Sequence, residues 1–134
     1  MKIFKVYLAG ACKYEPDEGE GWRNTVTEEW SDLGISFINP LHYFRYSESW
    51  HQSHKQVKQF YFSKIKTCDV VLVNLNNSDS SCGTCQEVQY AVDQGIPVIG
   101  FGHENVYNWL EVDCQCIFDK AEDAMEYIYN YYVV

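Results

Sequence analysis

A run of small polar residues in this chain ends in a carboxylate. Residues 78–87 read Ser-Asp-Ser-Ser-Cys-Gly-Thr-Cys-Gln-Glu. They follow an apolar stretch and open a helical pattern. Backbone N–H groups at a helix N-terminus, with the helix dipole behind them, favour an anion. Ser78, Ser80, Ser81 and Thr84 add hydroxyl donors, and Gly83 permits close backbone approach. A phosphate or a sugar hydroxyl fits such a junction. Glu87 has two readings. Thr84-x-x-Glu87 matches a capping box, in which the carboxylate folds back onto the cap's own N–H. The same carboxylate can act on a bound ligand, and the two readings are compatible in one side chain.

The elements that must position this junction follow from hydrophobic periodicity. Residues 3–8 form an apolar, β-rich run that ends at Ala9-Gly10-Ala11 and reads as a first strand buried on both faces. Residues 13–21 are polar and carry Gly19 and Gly21, a loop. Trp22, Val26, Trp30 and Leu33 recur at helical spacing until Gly34. Residues 35–38 form a short strand closed by Asn39-Pro40, and residues 41–51 a long loop. Val57, Tyr61 and Ile65 mark a helix over 52–66. Residues 70–75 are a continuous apolar run typical of a central parallel strand. A polar loop follows over 76–83, then a helix over 84–94 ended by Gly95. Residues 96–101 give a fourth strand. Leu110 closes a short helix, residues 116–118 form a fifth strand, and 120–132 the last helix.

Strands alternating with helices predict a parallel five-stranded sheet in a single α/β domain spanning 1–134. Ligands of such sheets bind beyond the carboxyl ends of the strands. Three loops qualify: 9–13, 39–43 and 76–83.

Composition narrows the partners. The 134 residues carry 10 Lys and Arg against 19 Asp and Glu, a formal net charge of −9. That argues against a sequence-independent grip on a nucleic-acid polymer, which needs a basic surface. A single small nucleotide needs only local donors. No segment approaches the roughly 20 apolar residues of a membrane span. The N-terminus enters a strand pattern at once, without a signal peptide's apolar region. These features predict a cytoplasmic protein whose six cysteines are reduced thiols.

Several motifs, in order and spacing, resemble the nucleoside 2-deoxyribosyltransferase family, especially its short members from Firmicutes and their phages. They are Val6-Tyr7-Leu8-Ala9-Gly10, Trp22-Arg23, Ile38-Asn39-Pro40, Cys68-Asp69 with residues 70–74, Gly83-Thr84-x-x-Glu87, Ile96-Pro97-Val98-Ile99-Gly100, and Trp109-Leu110 before Cys114. The resemblance implies a flavodoxin-like, doubly wound sheet and cleavage of an N-glycosidic bond. It implies that Glu87 attacks C1′ of a deoxyribose to form a covalent glycosyl-enzyme, with Tyr7 orienting it. A carboxylate is a modest nucleophile that suits an oxocarbenium-like centre. The resemblance also implies a binding surface from Gly10, Arg23, Asn39, Ser81, Gly83 and Thr84, a homo-oligomer, and no cofactor or metal.

Two positions depart from the family pattern. Where the family carries an aspartate on the helix before the central strand, this chain has Tyr61. A phenol with an ordinary pKa near 10 is a much poorer acid at neutral pH. Tyr61 then either packs the helix beside Phe60 and Phe62 or contacts the ligand, and either Asp69 or Asp79 stands in as the acid or the activity is lost, leaving a nucleotide-binding protein without catalysis. Six residues before Glu87, where transferases place an aspartate, stands Ser81. The related 2′-deoxynucleoside 5′-monophosphate N-hydrolases have serine there, and a serine can donate to a phosphate. Ser81 therefore leans toward a 5′-phosphorylated ligand.

The remaining candidates read more plainly. Cys82-x-x-Cys85 at a helix start permits redox chemistry, and with Cys114-x-Cys116 a zinc site of unusual spacing. Free thiols are the simpler expectation. His51 and His54 read as an exposed helix start. Arg23 either reaches a phosphate or base or makes a surface salt bridge. The tyrosine-rich tail, residues 127–132, reads as core and subunit contact.

Overall fold

The computed structural model describes residues 3–42 and 52–134. Most of the loop expected over 41–51, with His51, lies outside them. The strands are β1 (Phe4–Gly10), β2 (Ile35–Ile38), β3 (Val70–Asn74), β4 (Val98–Phe101) and β5 (Cys116–Phe118). The helices are α1 (Glu20–Trp30), α2 (His54–Lys66), α3 (Cys82–Asp93), α4 (Asn108–Asp113) and α5 (Ala121–Ile128). The five strands form one sheet in the order β2-β1-β3-β4-β5. Every pairing is parallel.

This is the doubly wound arrangement expected. The strand order reverses between β1 and β3, so the crevice at their carboxyl ends is the topological switch point. Boundaries shift for local reasons. β4 starts at Val98 because Pro97 has no N–H for the ladder, although its carbonyl accepts from Val71 N at 2.9 Å. The last helix gives way after Ile128 to a π-helical turn over Tyr129–Val133.

The period of two along each strand sorts the core into two layers. Tyr7, Ala9, Val71 and Val73 face Ile65 of α2, Val88 and Ala91 of α3, and Leu110 of α4. Val6, Leu8, Val70 and Leu72 face Val26 of α1 and Ala124, Met125 and Ile128 of α5. Val88 and Ala91 are fully buried and anchor α3 to the sheet. A valine buried this way contributes roughly 1.5–3 kcal/mol. Because Tyr7 shares the α3 face, its hydroxyl is aimed at that helix rather than at α1. The tyrosine tail joins the second layer: Tyr127, Tyr129 and Tyr132 pack against it, while Tyr131 stays exposed. No helix among the described residues is long and apolar enough to cross a membrane.

Candidate active site

A cavity of about 470 Å³ opens at the switch point, between the end of β1, the first turns of α3 and one side of α2. Gly10, Tyr61, Ser81, Gly83, Thr84 and Glu87 all border it. With Arg23, which also borders it, seven residues read from the sequence as site candidates are thus brought together.

Glu87 accepts a short hydrogen bond at Oε2 from the hydroxyl of Tyr7, eighty residues earlier. Tyr7 is fully buried in the middle of the sheet, in register with Ile38 and Val71. The Glu87 residue is half-buried at the cavity edge, while its carboxylate is enclosed. Burial pushes that carboxyl up to about 7, against the opposing pull of the Tyr7 hydroxyl and the Arg23 charge. Burial, followed by the Glu87 charge, raises the Tyr7 phenol well above its ordinary value. Tyr7 is therefore a permanent donor, and Glu87 a carboxylate that titrates near neutrality.

The capping-box reading of Glu87 does not hold. α3 begins at Cys82, two residues earlier than the periodicity suggested, with Ser81 at its N-cap. Thr84 is therefore the third helical residue rather than the cap. The residue is 2% exposed, and its hydroxyl lies 2.6 Å from that of Ser81. One hydroxyl donates to the other, so the pair keeps one proton for a ligand. A side chain added at Gly83 would meet no protein atom within 4 Å. Toward the rest of the protein, the first turn is therefore bare at this position.

Arg23 is neither in a surface salt bridge nor exposed. It is 1% accessible and donates to three carbonyls: Nε to Leu8 at 3.2 Å, Nη1 to Gly19 at 2.8 Å, and Nη2 to Gly10 at 3.0 Å. Trp22 stacks over the guanidinium at 4.8 Å. The side chain therefore fastens the β1–α1 loop, and its charge sits beneath the site. Asp17 supports the same loop, accepting from Gly19 N at 2.9 Å and Gly21 N at 2.8 Å. Those two N–H groups hold its carboxyl below the usual range. The Asp17-x-Gly19-x-Gly21 spacing is a readable signal of this turn within residues that otherwise read only as a polar loop.

Two expected site residues lie elsewhere. Asp69 precedes β3 at the amino end of the sheet, opposite the cavity. It exchanges bonds with Lys5 there: Oδ2 accepts from Lys5 N at 2.9 Å, and its N–H donates to Lys5 O at 2.8 Å. It cannot act as the acid for a group at Glu87, because successive positions along a strand carry it to the wrong end. Asn39 is 2% exposed, and its Oδ1 accepts from Leu41 N at 3.0 Å. It closes the turn after β2 and does not border the cavity. Asp79, the other stand-in, is exposed on a 3-10 turn over Ser78–Ser80 and also lies off the cavity.

Tyr61 does face the cavity and is more than packing. Its hydroxyl donates to the carbonyl of Pro40 at 3.0 Å. Pro40 is buried, so turning that proton away would strip a buried acceptor at a cost of about 1–3 kcal/mol. A new neutral hydrogen bond returns only about 0.5–1.5 kcal/mol. Leu41, Val57 and Phe62 complete this wall. Sequence reading missed them, because periodicity marks a helix's apolar face without saying which end of it overhangs a crevice. His54, read as an exposed helix start, is the first residue of α2 and also borders the cavity.

The six cysteines are free. Burial raises Cys12, Cys85, Cys114 and Cys116, and takes Cys68 and Cys114 up to about 12, so these are neutral thiols at pH 7. Among the described residues no three His, Cys, Asp or Glu side chains gather as a metal site.

Tyr7→Phe keeps the buried ring and removes only the hydroxyl. Without that donor the Glu87 carboxyl is expected to titrate higher still. Any turnover that depends on Glu87 is expected to fall about 10- to 100-fold, the worth of a hydrogen bond to a charged group. A pH–rate profile that stays where it was, with full activity, would count against the pairing.

A doubly wound parallel sheet with a carboxylate-bordered cavity at its switch point defines a flavodoxin-like α/β protein. The chain belongs to the nucleoside 2-deoxyribosyltransferase family, whose model matches residues 6–125. Solved structures agree on the fold. A 2-desoxiribosyltransferase from Leishmania mexicana superposes with a TM-score of 0.76 at 19% identity, covering 96% of this chain and 99% of that one. A 2-deoxyribosyltransferase from Bacillus psychrosaccharolyticus gives 0.66 at 21% identity, covering 89% and 88%. A CMP N-glycosidase from Clostridium botulinum gives 0.62 at 17% identity, covering 95% and 99%. No curated protein sequence matches the chain.

Proposed function

We propose that this chain cleaves or transfers at the N-glycosidic bond of 2′-deoxynucleosides or their 5′-monophosphates, with Glu87 as the nucleophile. Family membership supports glycosidic-bond chemistry on nucleosides. The observation that carries the finer reading is the Glu87 carboxylate, oriented by the buried Tyr7 hydroxyl at the edge of a cavity of nucleotide size. In the first step a Glu87 oxygen bonds to C1′. The C1′–N bond breaks, and the base leaves with its electron pair and takes a proton from water. In the second step water or another base attacks C1′ and frees the carboxylate. Ser81 and Thr84, with the bare turn at Gly83, receive the 5′ group. The reading carries a homo-oligomer and a cytoplasmic setting as expectations, and it needs neither cofactor nor metal.

Base release and base exchange, followed by chromatography for the wild type and Glu87→Ala, test this reading. Equal activity in the two proteins sinks it. A second reading, a nucleotide-binding protein without catalysis, is favoured by one observation: the hydroxyl of Tyr61, where an acid is expected, is held on the Pro40 carbonyl. It predicts ligand-dependent thermal stabilisation with no turnover across a nucleoside panel.

A further inference from the structure

The two inner residues of Cys82-Gly83-Thr84-Cys85 border the cavity, and the two cysteines flank them on the first turn of α3. The cysteines differ in setting. Cys82 is exposed and borders the cavity itself. Cys85, one turn on, is half-buried and packs against the core layer that holds Val88 and Ala91. Burial and, after it, the neighbouring Cys82 raise the Cys85 thiol. The outer sulfur thus meets reagents from solvent, while the inner one is shielded from them.

Helix geometry sets the separation. Residues three apart on an α-helix have Cα atoms about 5 Å apart, inside the roughly 4.4–6.8 Å that a disulfide spans. Their Cβ atoms lie about 5–6 Å apart, whereas a disulfide needs about 3.5–4.5 Å, so joining the sulfurs tightens the turn by about 1–2 Å. A Cβ at Gly83 would meet no protein atom within 4 Å, so no packing on that side opposes the change. Thr84 is buried, and its hydroxyl lies 2.6 Å from that of Ser81, a spacing that the tightened turn disturbs.

We propose that Cys82 and Cys85 form a thiol–disulfide exchange site for a small-molecule disulfide, and that closing it shifts the Ser81–Thr84 hydroxyl pair off the ligand's 5′ group. The Cys82 thiolate attacks one sulfur of a disulfide RSSR, whose S–S bond breaks and releases RS⁻. Cys85 then gives its proton to water and attacks Cys82 Sγ in the mixed disulfide, releasing the second RS⁻. The two cysteines lose two electrons and two protons, and RSSR gains them as two RSH. A bond closed against the helix's own spacing is readily reopened by excess thiol. The effect on the 5′ group rests on the N-glycosidic reading; the exchange itself does not.

Incubation with oxidised glutathione, alkylation of the remaining thiols and peptide mapping test the site. The wild type is expected to form a Cys82–Cys85 link that dithiothreitol reverses, and Cys85→Ala to stop at glutathione on Cys82. Cys82 and Cys85 both left as thiols, a glutathione that stays on Cys82 of the wild type, or a link from Cys82 to Cys12, which also borders the cavity, overturns the proposal. Base release from deoxynucleoside 5′-monophosphates tests the coupling. In the linked protein kcat/KM is expected to fall about tenfold, the worth of one hydrogen bond, and to return with dithiothreitol. Cys82→Ser is expected to keep its own rate through the same treatment. Equal rates in the linked and reduced wild type overturn the coupling. No turnover by either form overturns the glycosidic reading, while the peptide map still decides the exchange site.

Discussion

Glu87→Gln is expected to lower turnover of any deoxynucleoside substrate by roughly 10³-fold or more, the scale of losing a covalent nucleophile. The amide keeps the size of the side chain and can still accept from Tyr7, so the loss is of chemistry rather than of fold. The wild-type rate carries a second signature. In the proposed mechanism Glu87 attacks only as the carboxylate, and burial pushes its carboxyl up to about 7. The rate of glycosyl-enzyme formation is therefore expected to be half-maximal near pH 7 and to fall about tenfold per unit below it.

Stability should run the opposite way. The folded pKa lies above the unfolded value of about 4.5, so the native state binds more protons between the two. Wild-type stability is then unaffected below about 4.5. It falls as the pH rises through the window from 4.5 to about 7, and the full penalty stands above. Glu87→Gln removes that penalty. Its melting temperature is expected to exceed the wild type's by roughly 5 °C at pH 8, and to match it near pH 4.5. Thermal scans at the two pH values check this. An equal offset at both would mean that the carboxylate is not held in a low-dielectric site.

The second large effect is on folding. Arg23→Ala leaves the carbonyls of Leu8, Gly10 and Gly19 without their buried donor. Each unpaired acceptor costs about 1–3 kcal/mol, and the arginine stem also leaves a void beside Trp22. The expected loss is on the order of 3–5 kcal/mol, a large share of a domain's total stability. Urea unfolding followed by tryptophan fluorescence measures it, and a loss below about 1 kcal/mol would contradict the latch. Arg23→Lys recovers little, since an ammonium cannot match three carbonyls set for a planar fork. Gly19→Ala is expected to act through the same contact. The backbone there has φ +79°, and a Cβ would lie 2.4 Å from Arg23 Nη1 and 2.7 Å from Ala11 O.

Much of this was legible in the chain. The strand runs, their alternation with helices and the polar junction ending in Glu87 are local properties, because periodicity records which residues must be buried together. Ser81, Gly83 and Thr84 reach the cavity for the same reason: a loop after a central parallel strand has nowhere else to go. The misreadings concern side chains with more than one satisfiable partner. Thr84-x-x-Glu87 fits a capping box by spacing, yet α3 starts at Cys82 and the carboxylate meets a hydroxyl from another strand. Asp69 reads as a spare acid, yet strand direction carries it to the far end of the sheet. Arg23 reads as a phosphate or base contact or a surface salt bridge, yet the loop's bend supplies three carbonyls that hold it instead.

The sequence by itself determined the layers, the strand-helix alternation and the position of Glu87 at a helix beside the switch point. The family resemblance, not any local pattern, pointed to Tyr7 as its partner; the tertiary structure makes that bond and turns the Tyr61 proton to Pro40. Those pairings join residues 80 and 21 positions apart. Such contacts depend on strand register and helix rotation, quantities that no local pattern of residues encodes.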